Sequence, residues 1–142
     1  MRRKLFLIAA SLGLGSLLMT GCAVTPSNQM TKTVIQVSDG DPAKWNLALN
    51  VGKNIQQDLG ADKVTVEIVA FGPGIGMLKF DAPTANRVTD AVKAGIKMVA
   101  CENTMTAQKL TPKDMHASIG YVPAGAVEIM KRQSEGWSYL RP

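Results

Sequence analysis

Residues 33–42 read TVIQVSDGDP and join a strand to a helix within one short stretch. The β-rich run Thr33–Ser38 stops at the turn pair Asp39-Gly40, which predicts a first strand. Asp41-Pro42 then opens a helix, with the aspartate as N-cap and the proline at the first helical position. Apolar residues recur at helical spacing up to Gly60, a residue type that commonly ends helices.

The same alternation of strands and helices continues along the chain. Further strands are predicted at Lys63–Phe71, Ile96–Cys101 and Ser118–Val122, with an edge strand at Tyr139-Leu140. Helical patterns lie between them: one closed by Gly95, a short one from Asn103 or Thr104, a start capped by Thr111, and a last one after Pro123 with Val127, Met130 and Trp137 on one side. This alternation predicts an α/β fold, a three-layer α/β/α sandwich with a mostly parallel sheet of about five strands.

The N-terminus has the pattern of an export signal. Arg2-Arg3-Lys4 precedes an apolar stretch that is too short to span a bilayer comfortably. Leu18-Met19-Thr20-Gly21-Cys22 resembles the lipobox of bacterial lipoproteins, in which the cysteine is acylated. We therefore expect a signal peptide at residues 1–21, a lipidated tether at 22–32 and the α/β domain at 33–142. An ordinary signal peptide with an incidental Cys22 is the alternative.

Localisation and partner class follow from the same region. Ala23, in place of the Asp that marks inner-membrane retention, favours anchoring in the outer membrane, facing the periplasm. The formal charge of +5 falls to +2 without residues 1–21, which carry three of the 16 Lys+Arg and none of the 11 Asp+Glu. So small a charge gives no reason to expect a nucleic-acid partner.

Candidate site residues follow three of the predicted strands, where open parallel sheets form their sites. They are Asp39, then Gly72 and Gly74, then Cys101, Glu102, Asn103 and Thr104. A helix start beside Cys101 would favour its thiolate, Glu102 would oppose it, and a simply buried cysteine is the alternative.

Cofactor chemistry is not expected. The loop Gly72–Gly76 lacks the spacing of a phosphate-binding motif, and Asp41 is better explained as a helix cap than as a cation ligand beside Asp39. His116 is the single histidine, so we expect no transition-metal site.

Three passages together resemble the DsrE/DsrF-like family of small sulfur-handling proteins. They are Val69–Ile75, Val99–Met105 and Tyr121–Ile129, the last continuing through Gln133–Tyr139. The resemblance implies a parallel α/β/α sandwich that assembles as trimers or hexamers, with a persulfide carried on the cysteine that matches Cys101. Phe71 stands where close members often have His, so a polar group near the site is missing.

The sequence favours two functions over a third, a nucleotide-dependent enzyme. In the first, a cell-envelope protein binds or transfers sulfur on Cys101, with backbone N–H groups and Asn103 or Thr104 steadying the charged sulfur and a donor or acceptor protein as partner. In the second, a non-catalytic oligomeric module holds a small ligand in the same crevice or presents a surface to an envelope partner.

Overall fold

The computed structural model describes residues 30–142, and Cys22 and the predicted signal peptide lie outside them. Five strands are formed by Thr31–Val37 (β1), Val64–Ala70 (β2), Lys97–Cys101 (β3), Gly120–Val122 (β4) and Ser138–Leu140 (β5). Four α-helices are formed by Pro42–Leu59 (α1), Ala85–Lys93 (α2), Glu102–Ala107 (α3) and Gly125–Ser134 (α4), with 3-10 helices at Gly72–Leu78 and Pro112–Asp114.

The sheet confirms the predicted fold class. Its strand order is β4-β3-β2-β1-β5, and every neighbouring pair is parallel. The predicted edge strand at Tyr139-Leu140 is β5, which pairs with β1. Because all strands point the same way, their carboxyl ends lie along one edge of the sheet, and β3 ends there at Cys101.

Each face of the sheet is covered by its own apolar cluster. Side chains alternate between faces along a strand. Ile35, Ile68 and Met98 belong to the larger cluster, which also contains residues of α1 and α2. The opposite face carries a smaller cluster, formed by Val34, Val69, Ile129 and Trp137 with Phe71 and Val99 packed against it. The α4 helix therefore covers this second face, and the sheet lies between two helical layers.

The first helix forms as its capping residues predict. The Asp41 side chain accepts a hydrogen bond from the Ala43 N–H at 2.8 Å, and Pro42 is the first helical residue. Gly60 follows the last turn with a φ of +92°, a conformation that favours glycine. Trp45, buried on this helix, donates from Nε1 to the Asp39 carbonyl at 2.6 Å, which fixes the helix to the end of β1.

Three predicted boundaries differ from the structure. The first strand begins at Thr31, so the last two residues of the predicted tether 22–32 belong to the domain. The short helix α3 begins at Glu102, one or two residues earlier than predicted, with Cys101 as its N-cap. The segment capped by Thr111 is a single 3-10 turn with a capping box to Asp114.

The predicted apolar face of the last helix is wrong. Val127 and Met130 are 61% and 68% exposed, whereas Gly125 and Ile129 are the buried residues of α4. The side of α4 that carries Gly125 and Ile129 faces the sheet because it also carries Arg132, which pairs with the buried Glu67 of the sheet. Trp137 is buried as expected, but it lies beyond the helix, just before β5.

Candidate functional site

Cys101 lies at the junction of three elements on the face of the sheet that α4 covers. It is the last residue of β3 and the N-cap of α3, and the first turn of α4 packs against it. Its thiol is free, and the residue is 5% exposed. The cysteine is therefore enclosed by the surrounding elements.

Gly125 lets α4 approach the cysteine closely. A Cβ atom at this position would lie 3.0 Å from Cδ1 of Phe71 and 3.3 Å from Cβ of Cys101. Any larger residue would push the helix start away from β3. The glycine thus brings the backbone N–H at the start of α4 to the thiol.

Thr104 connects the cysteine to the loop after β2. The Gly72 N–H donates to Thr104 Oγ1 at 3.0 Å, and the Gln108 side chain donates from Nε2 to the Gly72 carbonyl at 3.2 Å. These two hydrogen bonds hold α3 against the loop. Thr104 Oγ1 accepts from Gly72 and keeps its own proton for donation, and a hydrogen bond from this hydroxyl lowers the pKa of Cys101.

The balance of local forces favours the thiolate. Burial is the largest single influence on the pKa of Cys101 and opposes ionisation. The Thr104 hydroxyl and the backbone N–H groups of Gly125, Thr104 and Asn103 together outweigh burial and lower the pKa below its usual value. The Asn103 N–H also donates to the Pro123 carbonyl at 3.1 Å, and the thiol lies 3.9 Å from the same oxygen. The site thus combines an enclosed sulfur with donors from two helix starts.

An aromatic ring forms the apolar side of the site. Phe71, which directly follows β2, is half-buried, and its side chain packs between Gly125 and the second apolar cluster. It offers the sulfur no hydrogen-bond donor. All the donors that lower the pKa of Cys101 therefore come from α3 and α4.

The loop glycines have structural roles. Gly72 adopts a φ of +53°, and a Cβ at Gly74 would lie 2.2 Å from the Val37 carbonyl oxygen, so the chain can pass there only as glycine. Their N–H groups are already bonded, to Thr104 Oγ1 and to the Phe71 carbonyl respectively. Neither N–H is therefore free to hold a phosphate.

The remaining predicted residues divide between the site and its surroundings. Glu102 and Asn103 are exposed beside Cys101 in the first turn of α3. Asp39 follows β1, which is separated from β3 by β2, and its carboxylate pairs with Arg141 at 3.4 Å. The structure thus brings Gly72, Asn103 and Thr104 to Cys101 and leaves Asp39 apart.

Sequence reasoning missed Gly125 and Pro123 as parts of the site. Both precede or begin α4 and are distant from Cys101 along the chain, so no local pattern joins them to it. The available signal was a Pro-Ala-Gly stretch directly after a strand, on the edge where the other strand ends meet.

Comparison with known proteins establishes the fold. No family model matches the chain, and no curated protein matches it either. The chain is similar to the solved structure of a protein of unknown function, MTH1491 from Methanobacterium thermoautotrophicum, at 28% identity and a TM-score of 0.76. The match covers 79% of this chain and 99% of that one.

A second solved structure shares the fold at lower identity. It is the conserved protein of unknown function BT1422 from Bacteroides thetaiotaomicron, at 12% identity and a TM-score of 0.64. The match covers 78% of this chain and 94% of that one. Both neighbours thus consist almost entirely of the domain that this chain carries.

Two further properties concern the described residues. Between residues 30 and 142, no group of three His, Cys, Asp or Glu side chains is placed to hold a metal ion. None of the helices in this part of the chain combines the length and the apolar character needed to cross a membrane.

Proposed function

We propose that this protein is a DsrE/F-like sulfur carrier of the cell envelope that binds sulfur as a persulfide on Cys101. The supporting observation is the convergence of the Thr104 hydroxyl and the Gly125, Thr104 and Asn103 N–H groups on one buried thiol, whose pKa they lower. A thiolate is the nucleophilic form of cysteine, and a persulfide anion formed there would draw on the same donors.

The transfer step is a nucleophilic displacement at sulfur. The Cys101 thiolate attacks the outer sulfur of a donor persulfide, R–S–SH. The new bond joins Sγ to that sulfur, the S–S bond of the donor breaks, and R–S⁻ leaves as a thiolate. The outer sulfur keeps its proton and its oxidation state, so the exchange needs no external oxidant or reductant.

The site restricts which donors fit. Cys101 is 5% exposed and Phe71 forms an apolar side, so a small polysulfide or a donor with a protruding persulfide is favoured over a bulky one. Glu102 and Asn103, the two residues that follow Cys101, are exposed and can contact such a donor.

Mass spectrometry of the protein before and after exposure to polysulfide tests the proposal. We expect an added mass of one or more sulfur atoms on the peptide that contains Cys101, removable by a reductant. A Cys101→Ser variant is the control and should gain none. An unmodified Cys101 in the folded protein would contradict the proposal.

Export, anchoring and assembly form part of the same proposal. The lipobox-like Leu18–Cys22 and Ala23 support lipidation at Cys22 and an outer-membrane position facing the periplasm. A Cys22→Ser variant should leave the membrane fraction and lose labelling by a fatty acid. A homo-oligomer, trimer or hexamer, is what the family resemblance implies, and the exposed apolar Val127 and Met130 on α4 are the candidate contact.

A non-catalytic binding module is the second candidate. Phe71 favours it, because this ring stands where the family that the chain resembles often has His, and it offers the sulfur no hydrogen-bond donor. In this case a Cys101→Ser variant keeps all partner and ligand binding. Loss of sulfur uptake by the same variant, with its assembly intact, would favour the sulfur carrier instead.

A further inference from the structure

Glu67 is a buried carboxylate in the middle of the sheet. It lies in β2 between residues of the apolar core and is 1% exposed. Arg132 of α4 grips it with two hydrogen bonds, from Nε to Oε1 at 3.1 Å and from Nη2 to Oε2 at 2.9 Å. A forked contact of this kind fixes both distance and orientation between its partners.

Arg132 is itself held on several sides. Glu128 lies 2.7 Å from its Nη2, Glu135 lies 3.2 Å from its Nη1, and the guanidinium stacks over the Trp137 ring at 4.8 Å. The hydrogen bond to Glu67 raises the pKa of Arg132 above its usual value, so the guanidinium stays charged. Arg132 thus holds α4 in a defined position on the sheet.

The same helix carries the donor that reaches Cys101. Gly125 and Arg132 are seven residues apart, about two helical turns or about 10 Å, and lie on one face of α4. The helix start has no side-chain cap, since the N-cap residue is Ala124. The position of the Gly125 N–H therefore depends on how the rest of the helix is held.

We propose that Glu67 and Arg132 form a clamp that positions α4, and through it the Gly125 N–H, against the sulfur of Cys101. This inference rests on the proposed function, because the clamp holds in place an N–H group that favours the nucleophilic thiolate of Cys101. Neither Glu67 nor Arg132 is among the groups that bond to the sulfur, so both are positioning residues.

A direct electrostatic effect and a positioning effect predict opposite changes in the thiol pKa of the Glu67→Gln variant. If Glu67 acted on Cys101 only through its charge, Glu67→Gln would remove a negative charge and lower the thiol pKa. If it acts through the clamp, the same change loosens α4 and raises that pKa. Arg132→Lys keeps the charge but loses the fork, so it changes the pKa only through position.

Three charged side chains on the elements that meet at Cys101 are kept in all these variants. They are Glu102 on α3, Glu128 on α4 and Lys97 at the far end of β3. Glu135→Gln is the matched control, because it removes an exposed partner of Arg132 and leaves the fork to Glu67 intact.

The experiment measures the rate of Cys101 alkylation by iodoacetamide against pH, with circular dichroism to confirm folding. We expect the thiol pKa to rise by about 0.5 to 1 unit in both Glu67→Gln and Arg132→Lys, so that alkylation near neutral pH slows by about three- to tenfold. Glu135→Gln should match the parent protein.

Two results would overturn the clamp: an unchanged thiol pKa in folded Arg132→Lys, or a lowered one in Glu67→Gln. If one of these variants fails to fold, the sign or the size of the pKa change in the other still tests the clamp. The alkylation experiment measures the pKa of the thiol and tests the clamp. Sulfur uptake by the same variants, measured by mass spectrometry after exposure to polysulfide, tests the proposed sulfur chemistry separately.

Discussion

The Gly72 N–H donates a hydrogen bond to Thr104 Oγ1 at 3.0 Å, which leaves the threonine proton free to face the sulfur of Cys101. Replacing Thr104 by Val keeps the shape of the side chain and removes this donor. We expect the thiol pKa to rise by about one unit, since hydrogen bonds to the charged form favour it.

The measurement is again the pH profile of alkylation. Thr106→Val, at an exposed position of the same helix, is the matched control and should leave the profile unchanged. A Thr104→Val protein with the parent profile would mean that the backbone N–H groups alone hold the thiolate.

Gly125→Ala tests the close approach of α4. The added Cβ would meet Phe71 at 3.0 Å and Cys101 at 3.3 Å, so the helix start must move. We expect a loss of about 1–3 kcal/mol in the free energy of unfolding and a higher thiol pKa. Chemical denaturation and alkylation measure the two effects. Ala126→Ser, exposed on the next residue, should change neither.

Stability should depend on pH through Cys101. Its pKa is lower in the folded chain than in an unfolded one, where the thiol is freely solvated. The unfolded state therefore binds more protons between the two pKa values, and the free energy of unfolding rises with pH across that window. The gain is absent below the folded-state pKa and complete above the unfolded-state value.

Urea denaturation of the parent and of Cys101→Ser, at several pH values, isolates this effect. The difference between the two proteins should grow in favour of the parent as pH rises through the window. A constant difference would show that the folded state does not stabilise the thiolate.

Breaking the buried ion pair should be costly. Arg132→Met leaves the Glu67 carboxylate buried without its forked partner, and we expect a loss of about 3–5 kcal/mol in the free energy of unfolding. Adding Glu67→Met removes the stranded charge, so the double variant should recover much of that loss. A double variant that is no more stable than Arg132→Met would indicate that the loss of stability comes from lost packing and not from the unpaired carboxylate.

The proposed assembly can be tested on the outer face of α4. Val127→Lys combined with Met130→Glu replaces two exposed apolar side chains and leaves the net charge unchanged. Light scattering should show smaller particles with an unchanged circular dichroism spectrum. Phe80→Gln, at a 61% exposed residue away from α4, is the control and should assemble like the parent. An unchanged particle mass in the double variant would place the contact elsewhere.

Local sequence signals determine most of the fold. Asp41, Pro42 and Gly60 set the ends of α1 through their own backbone preferences, and each does so in the structure. The position of Cys101 between a strand and a helix follows in the same way from the residues around it. Such features depend only on neighbours in the chain, so they can be predicted without knowing the fold.

The inward face of α4 could not be predicted in this way. Val127 and Met130 are more apolar than Arg132, so a pattern of hydrophobicity turns the helix the wrong way. What decides its orientation is Glu67, a charge inside an apolar strand that needs a partner 65 positions later along the chain. A glutamate within the run Val64–Ala70 was the available signal for a buried ion pair, but it does not identify the partner.

The parallel sheet also gives the molecule a direction. The chain enters β1 at Thr31, on the edge opposite the one that carries Cys101, and seven strand residues separate the two edges by about 20 Å. A protein held at a bilayer through the residues ahead of Met30 would keep this entry edge nearest the lipid. Cys101 would then lie on the side of the domain that faces away from the membrane, toward donors that diffuse in the surrounding compartment.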